Sequence, residues 1–270
     1  INESIKLTKT KYPNDIFLGS IHDIKIGSLP KIDLLIGGSP CQDLSNAHKG
    51  RGIEGIRSSL FYHFVKLKNI LKPKYFLLEN VKNKWAEVMD KHVGVKGVEF
   101  NSMHLSAQYR PRIYWTNINF SKLVPSQENL SLADILENKP EKRYFFDIDV
   151  KKIKKEKNLR KNGIKKLFTI PRSMIKDNER QRRVYDVSGK SPTLLARSDS
   201  PKILIRKFVR KLTPLECERL QGLPDSYTKD FSNTARYKMI GNGFTIQVIK
   251  YILSNIGKTK LKPKQLSLFH

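Results

Sequence analysis

The stretch IDLLIGGSPCQDLS, residues 32–45, decides the fold that the sequence predicts. Its run of Ile and Leu is typical of a buried parallel strand, and Gly37 and Gly38 end that strand. The small-residue turn that follows delivers Cys41 to the carboxyl end of the strand, where ligands bind in an open α/β sheet. A cysteine in that place can act as a nucleophile. The alternative is a buried structural thiol, and later residues decide between the two.

Two more stretches with chemical side chains follow along the chain. KYFLLENV, residues 74–81, is a short apolar strand that ends on a carboxylate, Glu79. SAQYRPRIYWTN, residues 106–117, has polar side chains at alternating positions before a strand-like run: Gln108, Arg110 and Arg112. Period-two spacing on a strand places such side chains on one face.

In this order, PCQ, ENV and QxRxR resemble the motifs of the C5-cytosine DNA methyltransferase family. RKLTPLECERLQGLP, residues 210–224, is similar to that family's penultimate motif, and GNGFTIQVI, residues 241–249, is similar to its last. The resemblance covers nearly the whole chain. It implies an α/β fold, with a Rossmann-like class I methyltransferase sheet and a small target-recognition lobe. It also implies sequence-specific methyl transfer from S-adenosylmethionine to carbon 5 of cytosine in duplex DNA.

The resemblance assigns roles in this reaction. Carbon 5 of cytosine is too weak a nucleophile to attack a methylsulfonium, and addition of the Cys41 thiolate at carbon 6 activates it. Protonated Glu79 would hydrogen-bond ring nitrogen 3 and offset the developing negative charge. Arg110 would hold the base and stabilise charge on its carbonyl oxygen, and Arg112 would orient neighbouring groups. The cytosine must leave the stacked duplex, and Ser45 begins the loop that in this family closes over it.

Composition agrees with a nucleic-acid substrate. The formal net charge is +27, from 52 Lys and Arg against 25 Asp and Glu. Such a balance favours binding to a polyphosphate and makes that binding dependent on salt. An acidic membrane surface would be the competing partner, but no apolar run approaches the length of a membrane span.

The two cysteines, Cys41 and Cys217, predict neither a disulfide framework nor a metal site. Cys217 lies in LTPLECERL, where the apolar spacing indicates a helix, and we expect it to be core packing. A reduced, cytosolic compartment is expected, in a bacterial or phage-infected cell.

The chain is expected to form two lobes. Residues 1–120 predict a catalytic lobe, to which residues 206–257 return after a target-recognition region at 121–205. Apolar residues at helical spacing predict helices over residues 54–71, ending before Pro73, and over residues 244–256.

The target-recognition region is rich in basic and polar residues that suit contacts with phosphates and base edges. Its lysine run, residues 151–166, has the alternative of a solvated and partly disordered linker. The expected DNA contacts combine motif residues with arginines of this region: Ser45, Gln108, Arg182, Arg183 and Arg197.

The resemblance also implies positions that line S-adenosylmethionine: Ser20, Ile21, Pro40, Leu60, Asn242 and Gly243. Ser20 stands where the family usually has the aspartate that meets the adenine amino group. The family's glycine-rich opening loop and its ribose-binding acidic residue have no match here, and residues 1–10 resemble the helix that follows them. We therefore expect a truncated sequence, or one part of a split enzyme, that lacks the first strand-helix-strand of the sheet.

Residues 258–270 read as a basic linker followed by QLSLFH. Gln265, Leu266, Leu268 and Phe269 resemble the pentapeptide by which bacterial proteins dock on the replicative sliding clamp. The alternative is a terminal strand that packs on its own domain.

Three functions remain in competition. The first is sequence-specific DNA cytosine-5 methylation in a restriction-modification or phage-protection role. The second is a DNA-binding or split subunit, so that the chain acts either as a monomer or as part of a heterodimer. The third is cytosine methylation in RNA.

Overall fold

The computed structural model describes residues 2–39, 59–124, 130–154, 159–197 and 199–258. The chain forms two compact units. The first consists of Ile1–Ile24, Glu99–Arg112 and Leu123–Val248. The second consists of Lys25–Val98, Ile113–Lys122 and Ile249–His270.

A four-stranded sheet contains the motif-bearing strands. Its members are β1 (Leu34–Gly38), β2 (Tyr75–Val81), β3 (Val98–Asn101) and β4 (Pro111–Thr116), in the order β1-β2-β4-β3. Strands β1 and β2 are parallel, with Leu34 opposite Tyr75 and Gly38 opposite Glu79. The strands predicted from the three apolar runs are therefore confirmed.

The predicted helices are also present. The helices are α1 (Asn2–Lys11), α2 (Ser59–Leu71), α3 (Ala86–Val93), α4 (Glu179–Arg182), α5 (Pro214–Gln221), α6 (Asn233–Asn242) and α7 (Ile246–Leu253). Helix α2 ends before Pro73, as predicted, and α7 lies within residues 244–256. The helices within the described ranges all fall short of the length and apolar character that a membrane crossing requires.

Helix α2 and the parallel strands form the core of the second unit. Phe61 and Phe64 of α2 pack in one cluster with Phe76, Leu78 and Trp115 from the sheet. A Cβ at Gly37 would lie 2.6 Å from the Phe64 ring. The glycine therefore lets the helix approach β1 closely.

The region expected to recognise DNA contains a mixed six-stranded sheet. Its strands are β5 (Phe145–Phe146), β6 (Leu159–Lys161), β7 (Ile164–Thr169), β8 (Arg183–Asp186), β9 (Lys202–Ile205) and β10 (Phe208–Lys211). Their order is β5-β10-β9-β8-β7-β6, and β8 and β9 run parallel. The expected boundary at residue 205 falls inside the β9–β10 hairpin. Since Leu212, Leu220 and Tyr237 share a core cluster with Tyr185 and Ile203, this unit continues past that boundary.

The described part of the lysine run is not a linker. Strands β6 and β7 form a hairpin in which Lys161 lies opposite Ile164. The intervening Asn162 and Gly163 have φ angles of 54° and 76°. Asn-Gly between two strands is a strong hairpin signal, because both residues tolerate positive φ. The alternative interpretation of a solvated linker is therefore wrong for residues 159–166.

Cys217 lies in α5 and is only 1% exposed. It belongs to the core cluster of the first unit, and burial raises the pKa of its thiol well above the ordinary value. Its prediction as core packing is confirmed.

A buried ion pair fixes the start of α5. Arg210 donates to both carboxylate oxygens of Glu216, at 2.8 and 2.6 Å, and both side chains are buried. The same carboxylate accepts the Thr213 N–H at 2.8 Å, which completes a capping box.

Substitution Arg210→Met should destabilise the protein by about 3–5 kcal/mol, because it leaves the Glu216 carboxylate buried without its cation. Denaturant unfolding measures this change. The matched control is Arg143→Met, since Arg143 pairs with Glu141 at the surface and both side chains are more than half exposed. An equal loss in both variants would contradict the prediction.

Candidate active site

The carboxyl end of β1 pairs with the strand that carries the ENV motif and is hydrogen-bonded to that motif. The parallel register places Glu79 opposite Gly38, the last residue of β1. Asn80 is buried, and its Nδ2 donates to Ser39 Oγ at 2.7 Å. Ser39 immediately precedes Pro40 and Cys41 of the PCQ motif in the sequence. Glu79 of the ENV motif therefore lies on β2, the strand next to β1, which leads into PCQ.

Several predicted site residues lie outside the described residues. They are Pro40, Cys41, Ser45, Gln265, Leu266, Leu268 and Phe269. Their roles stay predictions.

The side chains of Gln108 and Arg110 both hydrogen-bond the backbone of one residue, Leu194. The Leu194 N–H donates to Gln108 Oε1 at 2.9 Å, and Arg110 Nη1 donates to the Leu194 carbonyl at 2.9 Å. Arg110 Nη2 reaches the carbonyls of Gly241 and Gly243, at 3.1 and 3.0 Å. The QxRxR motif therefore joins the last motif to a segment of the recognition region.

A second glutamine, Gln221 at the end of α5, extends this network. Its Oε1 accepts from Gln108 Nε2 at 3.1 Å and from Thr245 Oγ1 at 2.9 Å. Its Nε2 donates to the carbonyls of Ile240 and Gly243, at 2.8 and 3.2 Å. Sequence reasoning missed this residue. The available signal was an amide side chain in the otherwise apolar sequence LQGLP.

Burial limits what these motif residues can touch. Gln108 was expected to contact DNA, but its side chain is completely buried and bonded within the protein, so this arrangement closes it to a nucleic acid. Arg110 is 4% exposed, and its terminal nitrogens donate to main-chain carbonyls. Arg112 is half-buried and donates to the Pro111 carbonyl at 2.8 Å. Gln108 and Arg110 thus hold backbone segments in place in this structure.

Gly241 allows the last motif to approach the recognition segment. A Cβ at this position would overlap the Leu195 carbonyl and lie 2.8 Å from the Ala196 nitrogen. Both neighbours are backbone atoms, which cannot rotate aside as a flexible side chain would. A glycine is therefore required here.

The cofactor position Ser20 has a defined local role. Its Oγ accepts the His22 N–H at 3.3 Å and caps a short 3-10 turn. A hydroxyl oxygen has two lone pairs, so one remains for an adenine amino group. Ile21, which follows it, is half-buried and offers an apolar contact.

The other described cofactor positions differ in exposure. Leu60 is half-buried in α2, whereas Asn242 and Gly243 are exposed at the end of α6. Taken one by one, these side chains are of types that suit parts of S-adenosylmethionine: a hydroxyl and an amide suit its polar groups, and apolar side chains suit its adenine ring. Their contacts with the cofactor stay predictions.

The three predicted recognition arginines have different surroundings. Arg183 makes two hydrogen bonds to Glu179, at 2.9 and 2.6 Å. Arg182 donates to the carbonyls of Asp177 and Ile170. Arg197 is exposed.

Substitution Gly241→Ala should destabilise the protein by roughly 1–3 kcal/mol, since the added methyl group forces the backbone at Leu195 to move. Thermal unfolding measures the change. The control is Gly27→Ala, where an added Cβ would meet no atom within 4 Å. Unchanged stability of Gly241→Ala would show that the close approach is not needed.

Comparison with known proteins agrees with the motif assignment. The sequence matches the family described as C-5 cytosine-specific DNA methylase over residues 2–102 and 93–258. Type II methyltransferase M.HhaI of Haemophilus parahaemolyticus is 30% identical over 266 residues, which cover 89% of this chain and 80% of the relative. Type II methyltransferase M.HpaII of Haemophilus parainfluenzae is 30% identical over 266 residues, or 84% and 73% of the two chains.

Solved structures support the fold. Entamoeba histolytica methyltransferase EhMeth has a TM-score of 0.68 at 13% identity, covering 95% of this chain and 88% of that one. S. pombe Dnmt2 methyltransferase has a TM-score of 0.62 at 14% identity, covering 94% and 87%. The predicted α/β, Rossmann-like methyltransferase fold is confirmed. Because the family match extends over most of the chain, the protein belongs to the C-5 cytosine-specific DNA methylases, which use S-adenosylmethionine to methylate carbon 5 of cytosine in DNA.

Proposed function

We propose that Cys41 and Glu79 act together on a cytosine swung out of duplex DNA, at a defined sequence. The observation that supports this is the β1–β2 register, with Glu79 opposite Gly38 and Asn80 bonded to Ser39. Parallel strands that end side by side bring their following residues to the same sheet edge. A nucleophile and an acid on adjacent strand ends can reach two atoms of one pyrimidine ring.

The proposed steps follow from the chemistry of these side chains. The Cys41 thiolate adds to carbon 6, and electron density moves toward carbon 5 and nitrogen 3, where the Glu79 carboxylic acid donates a hydrogen bond. S-adenosylmethionine supplies an electrophilic methyl group. Once carbon 5 carries the methyl group, water takes the proton from carbon 5 and the electron pair of that C–H bond re-forms the double bond between carbons 5 and 6. The carbon–sulfur bond breaks at the same time and releases the Cys41 thiolate.

For Arg110 we propose a positioning role. Its guanidinium holds the backbone at Leu194 and at Gly241 and Gly243. Arg112 is the more accessible guanidinium of the motif and is proposed to orient neighbouring groups.

The biological role proposed is protection of host or phage DNA from a restriction enzyme. It is supported by similarity to relatives that are named Type II methyltransferases. The expected location is the cytoplasm of a bacterial or phage-infected cell, where the DNA substrate lies.

Two partners are also proposed. The tail residues Gln265, Leu266, Leu268 and Phe269 would dock on the bacterial sliding clamp, because Leu and Phe side chains fill apolar pockets. A second polypeptide would pair with this chain in a heterodimer. Exposed apolar side chains support this second proposal, since Ile16 is 86% exposed and Leu18 51%.

Trapping with 5-fluorocytosine tests the catalytic proposal. Fluorine on carbon 5 cannot leave as a proton does, so the enzyme–DNA bond persists after methyl transfer. We expect the full chain with S-adenosylmethionine to form a covalent adduct with duplex DNA, and Cys41→Ala to form none. Cys217→Ala is the matched control, because this buried thiol lies in the core and should not affect the adduct. Glu79→Gln should slow adduct formation by roughly 10²–10⁴-fold.

The other outcomes of this experiment distinguish the alternatives. An adduct with RNA alone would indicate an RNA methyltransferase. No adduct with either nucleic acid would indicate a DNA-binding or split subunit. An adduct retained in Cys41→Ala would contradict the assignment of the nucleophile.

Deletion of residues 265–270 should abolish binding to the purified sliding clamp without changing methylation of an oligonucleotide. The physical reason is that a short terminal segment supplies the docking side chains but no part of the catalytic strands. Pull-down with the intact and shortened chains measures the effect. Equal capture of both would eliminate the clamp proposal.

A further inference from the structure

A groove in the first unit lies between the short helix α4 and residues 192–197 and 199–201. Its walls carry Arg180 and Gln181 on one side, and Thr193, Leu195 and Arg197 on the other. Both arginines are exposed. The groove thus presents two cations beside polar and apolar groups.

Arg180 and Arg197 differ from the neighbouring arginines in what they bond. The guanidinium of Arg183 is engaged by Glu179, and that of Arg182 by main-chain carbonyls. Within the part of the chain that the structure describes, the guanidinium groups of Arg180 and Arg197 donate no hydrogen bond. Their donors are therefore available to a ligand.

The acidic residue of the groove does not cancel this charge. Asp199 accepts from Lys202 Nζ at 2.9 Å, and Lys202 is 1% exposed. The same ammonium donates to the Gln181 carbonyl at 2.8 Å. Lys202 therefore both balances Asp199 and joins the two walls of the groove.

Contacts within the protein fix the backbone of both walls of the groove. Gln108 and Arg110 fix the backbone of Leu194, and Gly241 packs against Leu195. Arg182 holds α4 through the Asp177 carbonyl at 3.1 Å. A fixed backbone limits the positions that the two exposed guanidinium groups can reach, which favours discrimination between ligands.

We propose that Arg180 and Arg197 read guanines in the DNA target, so that G·C pairs near the methylated cytosine set its specificity. A guanidinium matches the O6 and N7 acceptors that guanine presents in the major groove, and each such pair gives strong discrimination. Arg182 and Arg183 then serve the structure of the groove. This assignment rests on the proposed recognition of a defined DNA sequence.

Binding selection tests this assignment without requiring methyl transfer. The full chain is incubated with duplexes that have randomised positions around a central cytosine, and the bound DNA is sequenced. We expect the wild type to enrich guanine at defined positions. Arg180→Gln and Arg197→Gln should each reduce that preference at one position by roughly 5- to 150-fold.

Two further variants make the result decisive. Arg180→Lys keeps the charge but not the forked donors, so it should retain total binding and lose the guanine preference. Arg143→Gln is the control, since Arg143 pairs with Glu141 at the surface and does not line the groove, and it should keep the wild-type pattern.

Three results would overturn the assignment: no guanine enrichment by the wild type, an unchanged pattern in both glutamine variants, or a uniform loss of affinity with the pattern retained. The last would indicate phosphate contacts. The two experiments separate failure of this assignment from failure of the catalytic proposal. If the catalytic proposal fails, no 5-fluorocytosine adduct forms, but the binding selection still reports which bases are enriched.

Discussion

The buried guanidinium of Arg110 joins two segments that lie far apart in the sequence. Its acceptors are the carbonyls of Leu194, Gly241 and Gly243. The last two lie at the carboxyl end of α6, where main-chain carbonyls lack partners in the helix and carry partial negative charge. A cation there supplies donors to these carbonyls, and Gln221 Nε2 donates to the Gly243 carbonyl as well. The turn at the last motif and the recognition segment are consequently fixed to each other.

Local patterns predicted the elements that position the motifs. Strand β1 follows from the apolar run before Gly37, and α2 ends where Pro73 forbids continuation. Cys217 could be placed in the core, because the apolar spacing around it repeats with a helical period. In each case the cause lies within a few residues of the effect. Such causes can be read from a single sequence.

The partners of polar side chains could not be read in this way. Gln108 looked like a surface residue of a basic motif, yet its amide bonds Leu194 and Gln221, both far along the chain. Arg183 is predicted to contact DNA, and the structure adds a bond to Glu179, which lies one helical turn away. The bonds of Gln108 could be found only from the tertiary fold. The Arg183–Glu179 pair could have been predicted from its i,i+4 spacing. The Asn162-Gly163 hairpin could likewise have been predicted from the turn preference of Asn-Gly.

The net charge of +27 likewise does not show which cations contact DNA. A charge of this size favours binding to any polyphosphate and does not by itself select a sequence. Several of the cations that contribute to it are buried, among them Arg110, Lys190, Lys202 and Arg210, and they stabilise the protein rather than contact DNA. Net charge therefore does not identify the residues that select a sequence, and the proposal for Arg180 and Arg197 depends instead on their exposure and on the fixed backbone beneath them.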